Sequence, residues 1–182
     1  EELSNKYNWL PGEYRTAVSF DADRTLQTFV ELEGGGLDTF KMLYQDGLYY
    51  PYVWKVRHFQ EKNPNEMEVW FTPAGKPYSF RQKLGEDEPG AALSRDSAFA
   101  IAMAGLKDEW SINLDEYELV EESEKTQPGG RVDHSFTYQR SGFSMGENGF
   151  LRFNLKVQGD VLGEYNHYAQ VPEAFQRRFS EM

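Results

Sequence analysis

The sequence contains no cysteine among its 182 residues. Disulfide scaffolds, zinc ribbons and thiol nucleophiles are therefore excluded, because each of them needs a cysteine sulfur. No apolar run approaches the ~20 residues that a membrane-spanning helix requires, so we predict that this piece is soluble. The chain begins at Glu1 without a methionine and shows no signal peptide. We take both ends as processed or cut ends and allow for a longer native protein.

Basic residues are scarce relative to acidic ones. Lysine and arginine total 19 against 30 aspartates and glutamates, which gives a net charge of -11. A nucleic-acid-binding face usually needs an excess of cations to displace counterions, so this class of partner is disfavoured. Hydrophobic residues make up 39% of the chain and aromatic residues 15%, which is enough to fill a core and argues against disorder.

Two stretches have the pattern of a β-hairpin. Residues 149–172 alternate apolar and polar side chains on both sides of Gln158-Gly159-Asp160, and residues 66–84 do so around Pro73-Ala74-Gly75. A period of two is typical of a half-buried strand, and glycine tolerates the positive φ of a tight turn. We therefore predict a hairpin at each position.

Near the N-terminus the pattern allows two interpretations. Residues 14–20 alternate loosely, Asp21-Ala22-Asp23 is a turn signal, and Leu26, Thr28, Val30 and Leu32 alternate again. We predict a third hairpin here. The alternative is a helix over residues 23–33.

Helical spacing appears twice more. Residues 37–45 form a short amphipathic pattern that ends at Asp46-Gly47. Residues 94–110 follow a possible Ser94 cap, with Phe99, Met103, Leu106 and Trp110 on one face and Ala98 and Ala102 beside them. Further strands are predicted over residues 49–59, 117–122 and 132–138.

The order of these elements is loosely repeated in the two halves of the chain. The charged, breaker-rich segment 85–90 is the best internal boundary, so we predict one α+β repeat over residues 1–90 and a second over residues 91–182. In each repeat an antiparallel sheet would be packed by a helix.

No group of residues is a convincing catalytic or metal site. Gly142-Phe143-Ser144-Met145-Gly146 matches G-x-S-x-G, and Asp160 and His167 follow in the order of a hydrolase triad. That motif needs a helix after the serine, whereas a strand pattern follows here, so a glycine-rich loop is favoured and a serine hydrolase using Ser144 is a minor alternative. The histidines His58, His134 and His167 have no metal-binding spacing, and no acidic cluster has that of a calcium loop. We predict no catalytic residue, no metal and no cofactor.

The best candidate binding surface is the aromatic strand that contains Tyr50, Tyr52 and Trp54. Aromatic side chains offer large contact areas and often anchor interfaces. His134, Tyr165 and His167 in the second half are added as candidate binding residues. The competing interpretation is that the aromatic side chains only fill the core.

The sequence also shows a resemblance to a known family. The chain resembles the soluble extracytoplasmic region of large CPBP-type (CAAX-protease and bacteriocin-processing) intramembrane metalloproteases, and it also looks like a tandem pair of PepSY-type repeats. The resemblance is carried by Phe29-Val30-Glu31-Leu32-Glu33-Gly34-Gly35, Tyr52-Val53-Trp54-Lys55-Val56-Arg57, Phe71-Thr72-Pro73-Ala74-Gly75, Glu86-Asp87-Glu88-Pro89-Gly90-Ala91-Ala92-Leu93, Pro128-Gly129-Gly130-Arg131-Val132-Asp133-His134 and Val171-Pro172-Glu173-Ala174-Phe175-Gln176-Arg177-Arg178.

The resemblance implies a module that flanking membrane helices hold outside the cytoplasm, on the periplasmic side or at the cell surface. It also implies that the protease site lies in those helices, since no catalytic residue carries over. The family's E-E-x-x-x-R motif fails at Glu121-Glu122, because Thr126 stands in place of the arginine. PepSY-type modules are associated with protease inhibition or regulation.

These observations lead to a main hypothesis and, besides the serine hydrolase, one further alternative. In the first, the chain is a non-catalytic domain of a membrane-bound protease-like protein. It would recognise a peptide or protein, possibly the parent's own membrane domain, or restrain that domain. In the alternative, it is a free-standing domain that binds an apolar or aromatic ligand beside Tyr52 and Trp54.

Overall fold

A single antiparallel sheet of eight strands runs through the chain. The computed structural model describes residues 12–106, 110 and 112–180, and within them the strand order is β1-β2-β3-β4-β8-β7-β6-β5. The strands are β1 Arg15–Ala22, β2 Tyr52–Phe59, β3 Glu66–Phe71, β4 Pro77–Lys83, β5 Tyr117–Thr126, β6 Val132–Arg140, β7 Phe150–Gln158 and β8 Val161–Gln170. The helices are α1 Arg24–Leu32, α2 Gly36–Tyr44, α3 Arg95–Gly105 and α4 Glu173–Ser180, with a 3₁₀ turn at Leu114–Glu116. The predicted α+β class is confirmed.

The two halves of the chain meet at the centre of the sheet, where β4 lies beside β8. Their register consists of two residue pairs, Phe80 with Tyr165 and Arg81 with Glu164. Ser79 extends this contact, because its Oγ accepts a 3.1 Å hydrogen bond from the backbone N–H of His167. We call this junction the β4–β8 seam. The predicted division at residue 90 falls between β4 and α3 and stays a prediction.

Both predicted hairpins are present with their glycine turns. Gly159 between β7 and β8 has φ +66°, and Gly75 between β3 and β4 has φ +80°. Only glycine adopts this left-handed region without a steric penalty, so these two residues set the turns. The strand predictions over residues 14–20, 49–59, 117–122 and 132–138 are confirmed as β1, β2, β5 and β6.

The predicted third hairpin is wrong, and the helical alternative is correct. Residues 24–32 form α1, whose N-terminus is capped by Asp23: the carboxylate accepts a 3.0 Å hydrogen bond from the backbone N–H of Leu26. Leu26, Phe29 and Val30 are buried on one face. The spacing of these three residues is helical, so the burial of that face outweighed the period-two pattern that the same segment also contains.

Helix α3 begins as predicted, with Ser94 at its N-cap. The predicted face is confirmed in part: Leu106 and Trp110 are buried, whereas Phe99 and Met103 are only partly so, and the adjacent Ala98 and Ala102 are fully buried. Small residues allow a helix to approach a sheet closely. The helix ends at Gly105, and residues 107–109 of its predicted continuation lie outside the described residues. No helix in the described ranges is long and apolar enough to cross a membrane.

Two clusters of buried side chains hold the helices on one face of the sheet. The first lies under α3 and combines residues of both halves, among them Met67, Val69, Phe80, Phe136, Phe153, Leu155 and Tyr165. The second lies under α1, α2 and α4 and contains Leu26, Phe29, Val30, Leu43, Tyr49, Met145, Leu151, Val171 and Phe175. Each cluster therefore needs residues from before and after residue 90.

The charged segment 85–90 is bound to the rest of the fold by one buried arginine. Arg131 is 2% exposed, and its Nη1 donates to the backbone carbonyls of Gly85 and Glu88 at 3.3 and 3.0 Å. Its Nε donates to Asp133 at 2.8 Å, and Gln127 donates to the same carboxylate at 2.7 Å. Burial raises the pKa of Asp133, but these hydrogen bonds outweigh it and hold that pKa below its ordinary value.

Candidate functional site

Tyr52 and Trp54 lie on an open part of the sheet, beside two apolar residues of β1. The rings of Phe20 and Trp54 have centroids 4.8 Å apart, and the rings of Phe20 and Tyr52 stack at 6.4 Å. Val18 is 62% exposed, Phe20 52% and Trp54 43%. We call Val18, Phe20, Tyr52 and Trp54 the β1–β2 strip. The strip lies on the face of the sheet that carries the helices, yet much of its apolar surface remains open to solvent.

The two edge strands of the sheet differ in a way that bears on this strip. The outer strand β5 carries Glu118, Glu121, Glu122, Glu124 and Lys125, and nearly all of it is exposed. Charges on an edge strand discourage pairing with another chain. The opposite outer strand, β1, is equally exposed but has no charged residue from Thr16 to Phe20. Within the described residues, one edge of the sheet therefore carries charges that discourage strand addition, and the other does not.

Tyr165 and His167 lie in a different place, within a network of aromatic side chains. The His167 ring stacks on Tyr78 at 4.7 Å, and its Nε2 is 2.5 Å from the Tyr165 hydroxyl. Burial lowers the pKa of His167 to about 3 and raises the pKa of Tyr165 above its ordinary value. Both groups are therefore neutral near pH 7, and a hydrogen bond joins the tyrosine hydroxyl to the imidazole Nε2.

Tyr50 joins this network rather than the β1–β2 strip. Its ring meets Tyr78 edge-on at 5.1 Å, and its backbone N–H lies 3.4 Å from the Tyr78 hydroxyl. Tyr49 next to it donates to the Asp23 carboxylate at 3.2 Å, which ties the network to the cap of α1. These contacts give Tyr50, Tyr165 and His167 a packing role, and a ligand-binding role for them stays a prediction.

His134 occupies a third place. Its side chain is 2% exposed, its Nε2 is 2.9 Å from the carbonyl oxygen of Leu93, and its ring stacks on Phe136 at 6.5 Å. The contact anchors the segment that leads into α3. The six predicted site residues thus fall in three places: Tyr50, Tyr165 and His167 lie together, His134 lies apart, and Tyr52 and Trp54 belong to the β1–β2 strip. Trp54 is the one of the six that is largely exposed.

The serine of the G-x-S-x-G stretch does not meet its predicted partners. Ser144 lies in the loop before β7, whereas Asp160 lies in the turn after it. Nine residues of strand separate these positions, which corresponds to roughly 30 Å. His167 pairs with Phe153 near the middle of β7. No triad is assembled, and β7 follows the loop where the motif requires a helix.

The histidines and acidic residues do not gather into a metal site in the part of the chain that the structure describes. His58 is buried, and its Nδ1 is 2.9 Å from the Thr16 hydroxyl, across the β1–β2 pair. His58, His134 and His167 each contact a different group of residues.

The comparisons with known proteins give no relative from which a function could be transferred. No protein-family model, no curated protein and no solved structure matches the chain.

Sequence reasoning missed Val18 and Phe20 as members of the candidate site. Both were recognised as strand residues, and an available signal was the absence of charge from Thr16 to Phe20. An uncharged, alternating strand is ordinary in the middle of a sheet and unusual at an exposed edge. The uncharged composition of β1 therefore indicates a candidate binding edge only when the position of β1 in the sheet is also known.

Proposed function

We propose that this chain is a non-catalytic recognition module that binds an extended segment of a protein or peptide along β1. The bound segment would add a ninth strand to the sheet. Its alternate side chains would cover the β1–β2 strip, and its backbone would pair with the free edge of β1.

The contrast between the two edges carries this proposal. Pairing with β1 needs no burial of charge between Thr16 and Phe20, whereas pairing with β5 would desolvate several carboxylates. The exposed rings of Phe20 and Trp54 would supply apolar contact area next to the new backbone hydrogen bonds. Side chains at alternate positions of the bound segment would then set its specificity.

The setting that we propose follows from the family resemblance. In that setting the module is a PepSY-like tandem repeat, is held outside the cytoplasm by flanking membrane helices, and recognises or restrains its own protease-like membrane domain or a substrate of it. The net charge of -11 favours a partner segment with basic residues beside its apolar positions. Fractionation of the full-length product, with a search for membrane spans on both sides of this piece, tests the setting separately from the binding surface.

The binding surface can be tested with a displayed library of random twelve-residue peptides selected against the purified chain. We expect the selected peptides to alternate apolar and polar residues. Their affinity should fall at least about tenfold in a Val18→Lys/Phe20→Lys variant, because charges would then occupy the edge and the strip. Fluorescence anisotropy of labelled peptides would measure each Kd.

A matched control is available on the opposite edge. Leu119 and Val120 of β5 are 38% and 41% exposed, so a Leu119→Lys/Val120→Lys variant adds the same charge to a comparable strand. We expect its peptide affinity to equal that of the parent chain. Equal losses in both variants, or amide shifts that map the peptides to β5, would contradict the proposal.

A further inference from the structure

A polar cleft of about 400 Å³ opens beside the β4–β8 seam, on the face of the sheet opposite the described helices. On one side it is bounded by the end of β4 and on the other by the start of β8. The register between these strands stops at Arg81 and Glu164, although β4 continues to Lys83 and β8 begins at Val161. The strands therefore separate where two further residue pairs would have formed.

The separation has a local cause in β8. The register of β7 with β8 shifts by one residue at this point, so that Lys156 pairs with Glu164 and Val157 with Leu162, and Gly163 is left over. Such a bulge bends its strand and interrupts the ladder. The Gln158 side chain lies over Gly163, where any larger residue would collide with its amide. Glycine at this position therefore leaves room for the Gln158 amide.

The charges around the cleft are balanced, in a chain that is otherwise strongly acidic. Three carboxylates and three cations line it: Glu66, Glu68 and Glu164, and Arg81, Lys83 and Lys156. Glu66 is bound by Arg57 at 2.6 Å and Glu68 by Arg81 at 2.5 Å. These two carboxylates are thus already neutralised.

The remaining polar groups of the cleft are poorly satisfied. Among the described residues, neither Lys83 nor Glu164 has an oppositely charged group within 4 Å; Glu164 accepts only a 3.2 Å hydrogen bond from Asn154. Lys156 reaches Asp133 only at 3.7 Å. Gln158 also lines the cleft and is 6% exposed, and its Oε1 is packed over Gly163 without a hydrogen-bond donor among the described residues. Lys83 and Glu164 are thus the two charged groups of the cleft that a ligand could neutralise.

We propose that this cleft binds a small zwitterion that carries one ammonium and one carboxylate, such as a free α-amino acid or a dipeptide. The carboxylate binds between Lys83 and Lys156. The ammonium binds the carboxylate of Glu164. A zwitterion fits because the two lining groups without an ion-pair partner among the described residues are one cation, Lys83, and one carboxylate, Glu164. An isolated anion or an isolated cation would satisfy only one of them. This site is on the opposite face from the β1–β2 strip and is independent of the proposed peptide binding.

The test is calorimetric titration of the purified chain with the common free L-amino acids and with alanyl-alanine, each at millimolar concentration. We expect saturable binding of at least one of them. Binding of amino acids alone or of the dipeptide alone would identify which of the two sources the cleft accepts. The N-acetyl and the carboxamide derivatives of the best ligand should each bind about tenfold more weakly or worse, because each lacks one charge.

Variants of the chain locate the site. Lys83→Gln and Glu164→Gln should each raise Kd about tenfold or more, whereas Lys76→Gln in the exposed β3–β4 turn and Glu147→Gln in the loop before β7 should leave it unchanged. The side-chain amide resonance of Gln158 should shift on titration, which shows occupancy without any substitution. The proposal is overturned if no zwitterion binds, if derivatives that lack one charge bind as tightly, or if the Gln158 amide does not respond.

Discussion

Replacing Arg131 by alanine will lower the free energy of unfolding by about 3–5 kcal/mol, because the change leaves the buried carboxylate of Asp133 without its cation. The arginine and the aspartate are 2% and 1% exposed, so water cannot take over the lost contact. The carbonyls of Gly85 and Glu88 would lose their donor as well. Urea unfolding followed by circular dichroism measures the change as a lower midpoint at an unchanged slope.

An exposed ion pair provides the control. Arg95 contacts Glu122 across the surface, with side chains 44% and 39% exposed. Arg95→Ala should leave the urea midpoint nearly unchanged, because solvent screens such pairs. A double variant, Arg131→Met/Asp133→Leu, removes both buried charges and should recover part of the loss. If Arg131→Ala is as stable as Arg95→Ala, the buried pair does not hold segment 85–90 in place.

Acidification from pH 6.5 to pH 5 will lower the free energy of unfolding by about 1.5 kcal/mol through His167 alone. Its pKa is about 3 in the folded chain, against 6.5 ordinarily, because the ring is buried. The unfolded chain therefore binds the proton first, and stability decreases as the pH falls below 6.5. Urea midpoints at pH 7, 6 and 5 measure the slope.

The pH interval from 6.5 to 5 distinguishes the effect of His167 on stability from that of the carboxylates whose pKa values are lowered. Hydrogen bonds from Arg57 hold the pKa of Glu66 below its ordinary value, and Asp133 is also lowered. Both carboxylates therefore titrate below the ordinary range near ~4, outside the interval used here. His167→Gln keeps an amide that can hydrogen-bond to the Tyr165 hydroxyl and cannot titrate, so it should remove this part of the slope. An imidazole resonance of His167 that titrates near pH 6.5 would refute the assignment.

The N-terminal helix shows what local sequence could decide and what it could not. Leu26, Val30 and Leu32 alternate as a strand would, while Leu26, Phe29 and Val30 also fit a helix. The Asp23 cap was visible in the sequence, but the burial that selects the helix depends on Phe175, whose ring lies 5.2 Å from Phe29. A contact over that sequence distance has no local signal.

The candidate site shows the same limit. The aromatic character of Tyr52 and Trp54 could be read directly, and so could the alternation that places them on one face. Whether that face is covered depends on where the helices pack: α1, α2 and α4 gather near Leu151 and Val171 at the ends of β7 and β8. The aromatic residues that are covered, including Tyr165 and His167, therefore look the same in the sequence as those that stay open. The burial of Arg131 is even harder to predict from the sequence, because arginine is ordinarily exposed.

The second buried cluster also determines when, during synthesis, its helices can complete their packing. Leu26, Phe29 and Val30 of α1 reach their final packing only against Met145, Leu151 and Phe175, which are made much later. A nascent chain that has emerged only as far as β4 can pair its first four strands, yet its helices still expose an apolar face to water. Such a face binds chaperones or aggregates until it is covered. The packing that α1 begins is thus completed only when α4 has been made.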